Sequence, residues 1–295
     1  MCWDFVRKDA DMPPVVVVLL SLVGGVLSVF LLLFLLYVFF LVRPRAKMPA
    51  DASLLCDYAH RGLHGNGVPE NSLRAFELAC EAGYGIELDV QLSHDGEVMV
   101  FHDYTLARMT GDERRLSELS AANLGELHLD GTEQTIPSLC QVLRLVDGRV
   151  PLLIELKGED SNTALCPKVA AYLRDYRGPY CIESFNPFLL RNIKKHLPEA
   201  YCGLLYTNLI RERKRVSLRH LLGTAMMLNF FCKPHFIAFN EKDRRALPVR
   251  LATGLYRAPR FVWTVRSRVS FDRAHALGEC AIFEKIDPDD SRGKE

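Results

Sequence analysis

Two kinds of hydrophobic pattern follow one another along the chain. Residues 15–42 form a block of 28 positions with no charged side chain and only scattered Ser and Gly. Beyond residue 52, short apolar runs rich in Val, Ile, Leu and Phe alternate with segments whose apolar positions recur at helical spacing. The first block exceeds the roughly 20 residues that cross a bilayer, and tilt absorbs the excess. A signal peptide would have a basic start, a shorter apolar core and a small-residue cleavage site. Here Asp4, Asp9 and Asp11 offset Arg7 and Lys8, and Arg43-Pro44-Arg45 follows the block. A buried globular helix of this length would carry a polar face. The expected arrangement is a tail (1–14), one transmembrane helix (15–42) and a polar, proline-containing juxtamembrane linker (43–52). Arg43, Arg45 and Lys47 outweigh the basic groups on the other side slightly, so the remainder is expected in the cytoplasm.

In the remainder, strands are predicted at 55–60, 85–92, 98–102, 151–157, 180–185, 201–207, 235–240, 260–265 and 281–284. Helices are predicted at 72–82, 137–146, 164–174, 186–196 and 271–277. Near-continuous apolar strands separated by helices indicate a parallel sheet covered on both faces. About eight such units fit an α/β fold of the (β/α)8 TIM-barrel type better than an open doubly wound sheet. Nine strands are one too many, but Asp95-Gly96 carries the signal of a tight hairpin between the second and third runs. Residues 103–136 have weak periodicity and are expected to cover the barrel mouth as an insertion. Residues 208–234 are a second irregular piece, with a charge run from Arg211 to Arg215 expected as a solvated face. The tail 287–295 is polar and expected to be flexible.

Charge and cysteine usage narrow the function classes. The 295-residue chain has a net charge of +1, which gives no electrostatic case for nucleic acid. Nine cysteines are spread without a CxxC pair, which argues against a zinc site and a dense disulfide framework. Several lie in apolar runs, where a reduced thiol behaves as a small core residue, as suits the cytoplasm.

The chemistry is concentrated between residues 60 and 103. His60-Arg61-Gly62, Pro69-Glu70-Asn71-Ser72, Glu87-Leu88-Asp89 and Phe101-His102-Asp103 follow in order, most of them at ends of apolar runs. Glu87 and Asp89 leave one face of a strand, and Glu155 with Lys157 repeats that spacing on the next predicted parallel strand. Three convergent carboxylates repel unless a cation sits among them, and an all-oxygen set suits Mg2+ or Ca2+. With a histidine at either end, the cluster reads as a metal-assisted acid–base site for a phosphodiester. Arg61 and Lys157 neutralise phosphoryl oxygens, and His60 and His102 exchange protons with the attacking and leaving oxygens.

These motifs, together with Ile136-Pro137-Ser138-Leu139, Ile154-Glu155-Leu156-Lys157, Ser184-Phe185 and Trp263-Thr264-Val265, resemble the glycerophosphodiester phosphodiesterase family over roughly residues 55–286. The resemblance implies a barrel domain (53–286) that cleaves glycerophosphodiesters to glycerol 3-phosphate and an alcohol with a divalent metal. It assigns Glu87, Asp89 and Glu155 to the metal and His60 and His102 to acid–base work. Arg61 and Lys157 match phosphate-binding positions, Glu70 a site carboxylate and Trp263 a substrate-pocket aromatic. Two departures stand out. Arg266 replaces the usual Asn after Trp-Thr-Val, and Glu284-Lys285 replaces the usual last-strand Thr-Asp; neither is expected to touch the metal or the histidines, and both are expected to affect the alcohol or glycerol end of the pocket. The alternatives are a lysophospholipase D, or a membrane-anchored barrel that binds without catalysis.

Overall fold

The computed structural model describes residues 13–158 and 162–286. The strands are β1 (Tyr58–Ala59), β2 (Gly85–Leu92), β3 (Val98–Val100), β4 (Leu152–Leu156), β5 (Tyr180–Ser184), β6 (Tyr201–Tyr206), β7 (Phe236–Asn240), β8 (Arg260–Val265) and β9 (Cys280–Phe283). All but β3 are parallel neighbours, and β1 pairs with both β2 and β9, so eight strands close into a (β/α)8 barrel. The ninth is explained by the hairpin. β3 folds back antiparallel on the end of β2, with Gly96 at positive φ in the turn. β1 is the shortest barrel strand and closes the ring through two residue pairs on each side.

Alternation along the strands sorts two cores. Inward residues such as Tyr58, Leu153, Phe236 and Phe261 fill the lower barrel, while outward ones such as Leu88, Ile154 and Val262 meet the helices. At Gly203 a Cβ would lie 2.1 Å from the Phe236 ring, so only glycine lets that ring fill the interior. The five predicted helices appear as Leu73–Ala82, Leu139–Val146, Leu165–Asp175, Pro187–His196 and Arg268–Ala276. Their starts follow local chemistry. Ser72, Ser138 and Asn186 each accept a first-turn backbone N–H, and Pro187 stands where its missing N–H costs nothing. Residues 103–136 form three short helical turns around a small core of their own, in which Leu106, Leu116 and Leu124 join Met99 and Phe101.

At the amino end, helix Pro14–Leu36 continues as a π-helical turn, Tyr37–Leu41. Together they form one span of 28 residues, long and apolar enough to cross a membrane. The stretch that follows is not a free linker. Tyr37 Oη donates to the Ala225 carbonyl (3.0 Å), Tyr256 Oη to that of Val38 (2.7 Å), Asn229 Nδ2 to that of Val42 (2.7 Å) and Tyr201 Oη to that of Lys47 (3.0 Å). Val42 is fully buried, and Phe40 stacks on Phe230. Within 208–234 the chain forms helices Leu209–Arg213, Leu218–Thr224 and Asn229–Cys232, too short to show a period in sequence. The charge run is exposed from Arg211 to Arg215, as a solvated face, and Arg211 also grips Asp243 at 2.7 and 3.0 Å.

Candidate active site

The charged residues gather at the C-terminal rim of the barrel, where strand ends from different units converge. Asp89 lies beside Glu155 in the β2–β4 register, and Glu87 shares its face. Each is buried, and one oxygen from each lies within 4.8 Å of the others. Lys157, the first residue after β4, places Nζ 2.9 Å from both Asp89 Oδ1 and Glu155 Oε1. Arg61 holds the other side. Its backbone N–H donates to Glu87 Oε2 (2.9 Å), its Nη1 to Glu70 Oε1 (2.7 Å), and its Nε lies 3.5 Å from Asp89. Arg61 takes a left-handed backbone (φ 58°), as does Gly62, where a Cβ would strike Ala75 at 2.8 Å.

Electrostatics show how crowded the pocket is. Burial and the charges of Asp89 and Glu155 push Glu87 well above the usual carboxylate range. Burial pushes Glu155 to about 7, against the pull of Lys157. Burial also opposes ionisation of Asp89, but Lys157, His102 and Arg61 prevail and hold it well below the usual range. A fourth carboxylate, Glu183 on β5, is buried next to Glu155 in the β4–β5 register and is pushed up by burial and by Glu87. Two cationic side chains thus face four acids. The all-oxygen donor set fits a hard divalent cation, whose charge would stabilise the ionised carboxylates that burial disfavours.

Both histidines flank this pocket. His60, the first residue after β1, has Nε2 3.9 Å from Glu87 Oε2, and its Nδ1 lies 2.6 Å from Glu284 Oε2. Burial lowers its pKa to about 4, against the raising effect of that contact. His102 follows β3, where the Phe101 N–H donates to the Asp89 carbonyl (2.9 Å). Its Nδ1 is 2.6 Å from Asp103 Oδ1, and burial lowers its pKa against the charge of Asp89. Trp263 lies on β8. Its indole donates to the Ala238 carbonyl (3.1 Å) and Phe185 meets it edge-on, giving an aromatic wall on β8.

Several further side chains take part to which the sequence reading gave no role. Gln91 extends the Glu87–Asp89 face, and its amide donates to the carbonyls of Phe101, His102 and Asp103 at 2.8, 3.2 and 2.8 Å, pinning the His102 loop to β2. The period-two rule that found Glu87 and Asp89 leads to it directly. Asn71, buried at positive φ, donates Nδ2 to Asp89 Oδ2 (2.9 Å). Arg108, from the 103–136 segment, ties Asp103 (2.6 Å) to Glu70 (2.5 Å). Arg266 and Glu284 lie beside His60, at the acid–base end of the site.

The family model of the glycerophosphoryl diester phosphodiesterases matches residues 60–285. A glycerophosphodiester phosphodiesterase of Caldanaerobacter subterraneus is 36% identical over 239 residues, covering 76% of this chain and 91% of its own. The human lysophospholipase D GDPD1 is 33% identical over a shorter stretch, 36% of this chain and 33% of its own. Among solved structures, an Oleispira antarctica phosphodiesterase in complex with the product sn-glycerol-3-phosphate has the same fold, with a TM-score of 0.63 at 22% identity over 78% of this chain and 92% of that one. A Thermotoga maritima glycerophosphodiester phosphodiesterase gives 0.60 at 22% identity, over 78% and 94%. A closed barrel with its acidic cluster at the C-terminal rim, matched along residues 60–285, makes this chain a phosphodiester hydrolase that belongs to the glycerophosphoryl diester phosphodiesterase family.

Proposed function

We propose that the enzyme is a membrane-anchored, metal-dependent hydrolase that cleaves glycerophosphodiesters to glycerol 3-phosphate and an alcohol, in glycerophospholipid metabolism. The supporting observation is the buried Glu87–Asp89–Glu155 cluster with His60 Nε2 3.9 Å from Glu87. These three carboxylates would hold Mg2+ or Ca2+, which when bound supplies positive charge to a phosphoryl oxygen. Arg61 and Lys157 add charge beside it and orient the phosphate, and Glu70 steadies Arg61. His60 and His102 take the proton of the attacking oxygen and supply that of the leaving alkoxide. Trp263 walls the alcohol side. The attacking oxygen is the substrate hydroxyl next to the phosphate, because a tethered nucleophile has a large effective-molarity advantage; water then opens the cyclic phosphate.

Residues 15–42 are the anchor, its last turn docked on the barrel; 43–52 are the juxtamembrane linker, 53–286 the catalytic domain and 103–136 its insertion, with the catalytic domain on the cytoplasmic side. The proposed tails, 1–14 and 287–295, fall almost wholly outside the described residues. A second reading, a lysophospholipase D, draws on the likeness to the human enzyme of that name and on exposed Phe185 and Phe188 just beyond β5. Product analysis with glycerophosphocholine and lysophosphatidylcholine in parallel, with EDTA or with Mg2+ or Ca2+ restored, separates the two. Release of glycerol 3-phosphate and choline from the first substrate alone supports the main reading. Turnover of neither substrate, or full turnover in excess chelator, refutes it.

A further inference from the structure

Three neighbouring barrel strands end in a chain of contacts. Arg266 is the first residue after β8, Glu284 the first after β9 and His60 the first after β1. The register pairs Ala59 with Phe283, and the His60 N–H donates to the Phe283 carbonyl (2.8 Å), so His60 and Glu284 emerge side by side. Glu284 Oε2 lies 2.6 Å from His60 Nδ1, and its Oε1 accepts from Arg266 Nε at 2.6 Å. His64 Nε2 is 3.8 Å away on the same side. Glu284 is buried, and its backbone N–H is tied to the Val265 carbonyl (3.0 Å). A carboxylate gripped by a guanidinium is an acceptor, so the single proton of a neutral imidazole beside it belongs on Nδ1. That leaves the lone pair of His60 on Nε2, the atom facing Glu87.

We propose that Glu284, held by Arg266, is the positioning residue of His60, fixing its Nδ1–H tautomer and directing Nε2 at the reacting oxygens. The inference rests on the reading of His60 as an acid–base group. Protons then enter and leave His60 through Nε2 alone. Nδ1 keeps its proton, Glu284 stays ionised, and the imidazolium formed when Nε2 takes a proton is stabilised by the carboxylate behind it. The two departures from the family pattern, at 266 and 284, thus become one, since the new anion and the new cation pair with each other. His102 is held the same way, with Asp103 at Nδ1 and Arg108 Nε 2.6 Å behind that carboxylate. There, histidine and carboxylate are adjacent in sequence; at His60, three strand ends assemble the arrangement.

A plain ion pair sewing β8, β9 and β1 together would show the same distances, so the test must read the imidazole. With the full chain in detergent micelles, Mg2+ present and glycerophosphocholine as substrate, Glu284→Gln is expected to lower kcat by about 10²-fold or more, with KM within about threefold. A kcat within threefold of wild type, or a loss confined to KM, overturns the proposal. Long-range 1H–15N spectra of the wild-type protein supply a readout that needs no variant to fold. The His60 signals, assigned by their disappearance in His60→Ala, are expected to show protonated Nδ1 and unprotonated Nε2. The opposite tautomer overturns the proposal whatever the kinetics. Near-wild-type activity in His60→Ala removes the acid–base reading beneath it, an outcome distinct from failure of the Glu284 contact, which the tautomer reports separately.

Discussion

Replacing Glu87 by Gln isolates what the acidic cluster does for metal binding from what it does for the fold. Without a cation, burial beside Asp89 and Glu155 disfavours the charged form of Glu87, and Gln is the near isostere of its neutral form. The amide oxygen still accepts the Arg61 N–H now at 2.9 Å from Glu87. The melting temperature in EDTA should therefore stay within about 2 °C of wild type, since little is removed from the folded state. Cation binding changes the comparison. At a concentration of about 100 Kd, a ligand that binds only the native state contributes about 2.7 kcal/mol. In a domain of this size that raises the melting temperature by roughly 5–10 °C. Losing one of three anionic donors should weaken affinity about 100-fold or more, leaving roughly 0.4 kcal/mol, or about 1 °C, at the same concentration. Thermal melts of both proteins in EDTA and across a Mg2+ or Ca2+ titration read this directly. An undiminished cation shift in Glu87→Gln would refute its role as a ligand. A variant melting more than about 5 °C lower in EDTA would show instead that ionised Glu87 holds the fold.

Four further outcomes are expected. His102→Ala should be nearly inactive, and a glycerophosphodiester lacking the hydroxyl next to the phosphate should resist the wild-type enzyme; efficient hydrolysis of that deoxy substrate would decide for direct attack by water. A chain beginning at Asp51 should melt at least about 5 °C below one beginning at Tyr37, since it exposes the surface under Val42 and leaves Asn229 Nδ2 only the Met226 sulfur in place of a carbonyl; equal melting temperatures would show that the docking contributes nothing. Buried His235, pushed down to about 4 by burial and by Lys194, accepts the Cys202 N–H through Nδ1 and must stay neutral to do so. Its folded pKa lies below the unfolded value of roughly 6.5, so its stability contribution is complete above that value and is lost as pH falls towards 4. His235→Phe, which keeps a ring against Tyr201, should flatten the decline in melting temperature between pH 7 and 4.5; an unchanged slope would exclude this group as a cause.

The parts of the molecule legible in its sequence are those governed by local periodicity. Glu87, Asp89 and Glu155 were traceable because a period of two places them on one face, and parallel pairing of β2 with β4 then sets Asp89 beside Glu155. The hairpin turn at Asp95-Gly96 accounts for β3 as the surplus strand. What stayed hidden depends on closure and on backbone groups. Glu284 reaches His60 across 224 residues and only once β9 pairs with β1. The end of the apolar span and the polar stretch after it are fastened to the barrel through the carbonyls of Val38, Val42 and Lys47, and a carbonyl leaves no mark in a sequence. Gln91 was within reach of the same alternation but carries no charge to attract notice.

The two-residue strand β1 sets a temperature order for losing activity and losing the fold. Barrel cooperativity is carried by longer ladders such as β2–β4, with five residue pairs, whereas β1 is held by two on either side. His60 and Arg61 lie immediately beyond it. Fluctuations that open part of a structure start where the fewest backbone hydrogen bonds must break. Fraying at this seam would separate His60 from Glu284 and Arg61 from Glu87 while the other strands keep their pairing. Heat should therefore silence the enzyme reversibly several degrees before the barrel melts, with amide exchange at residues 58–62 outpacing that of the remaining strands.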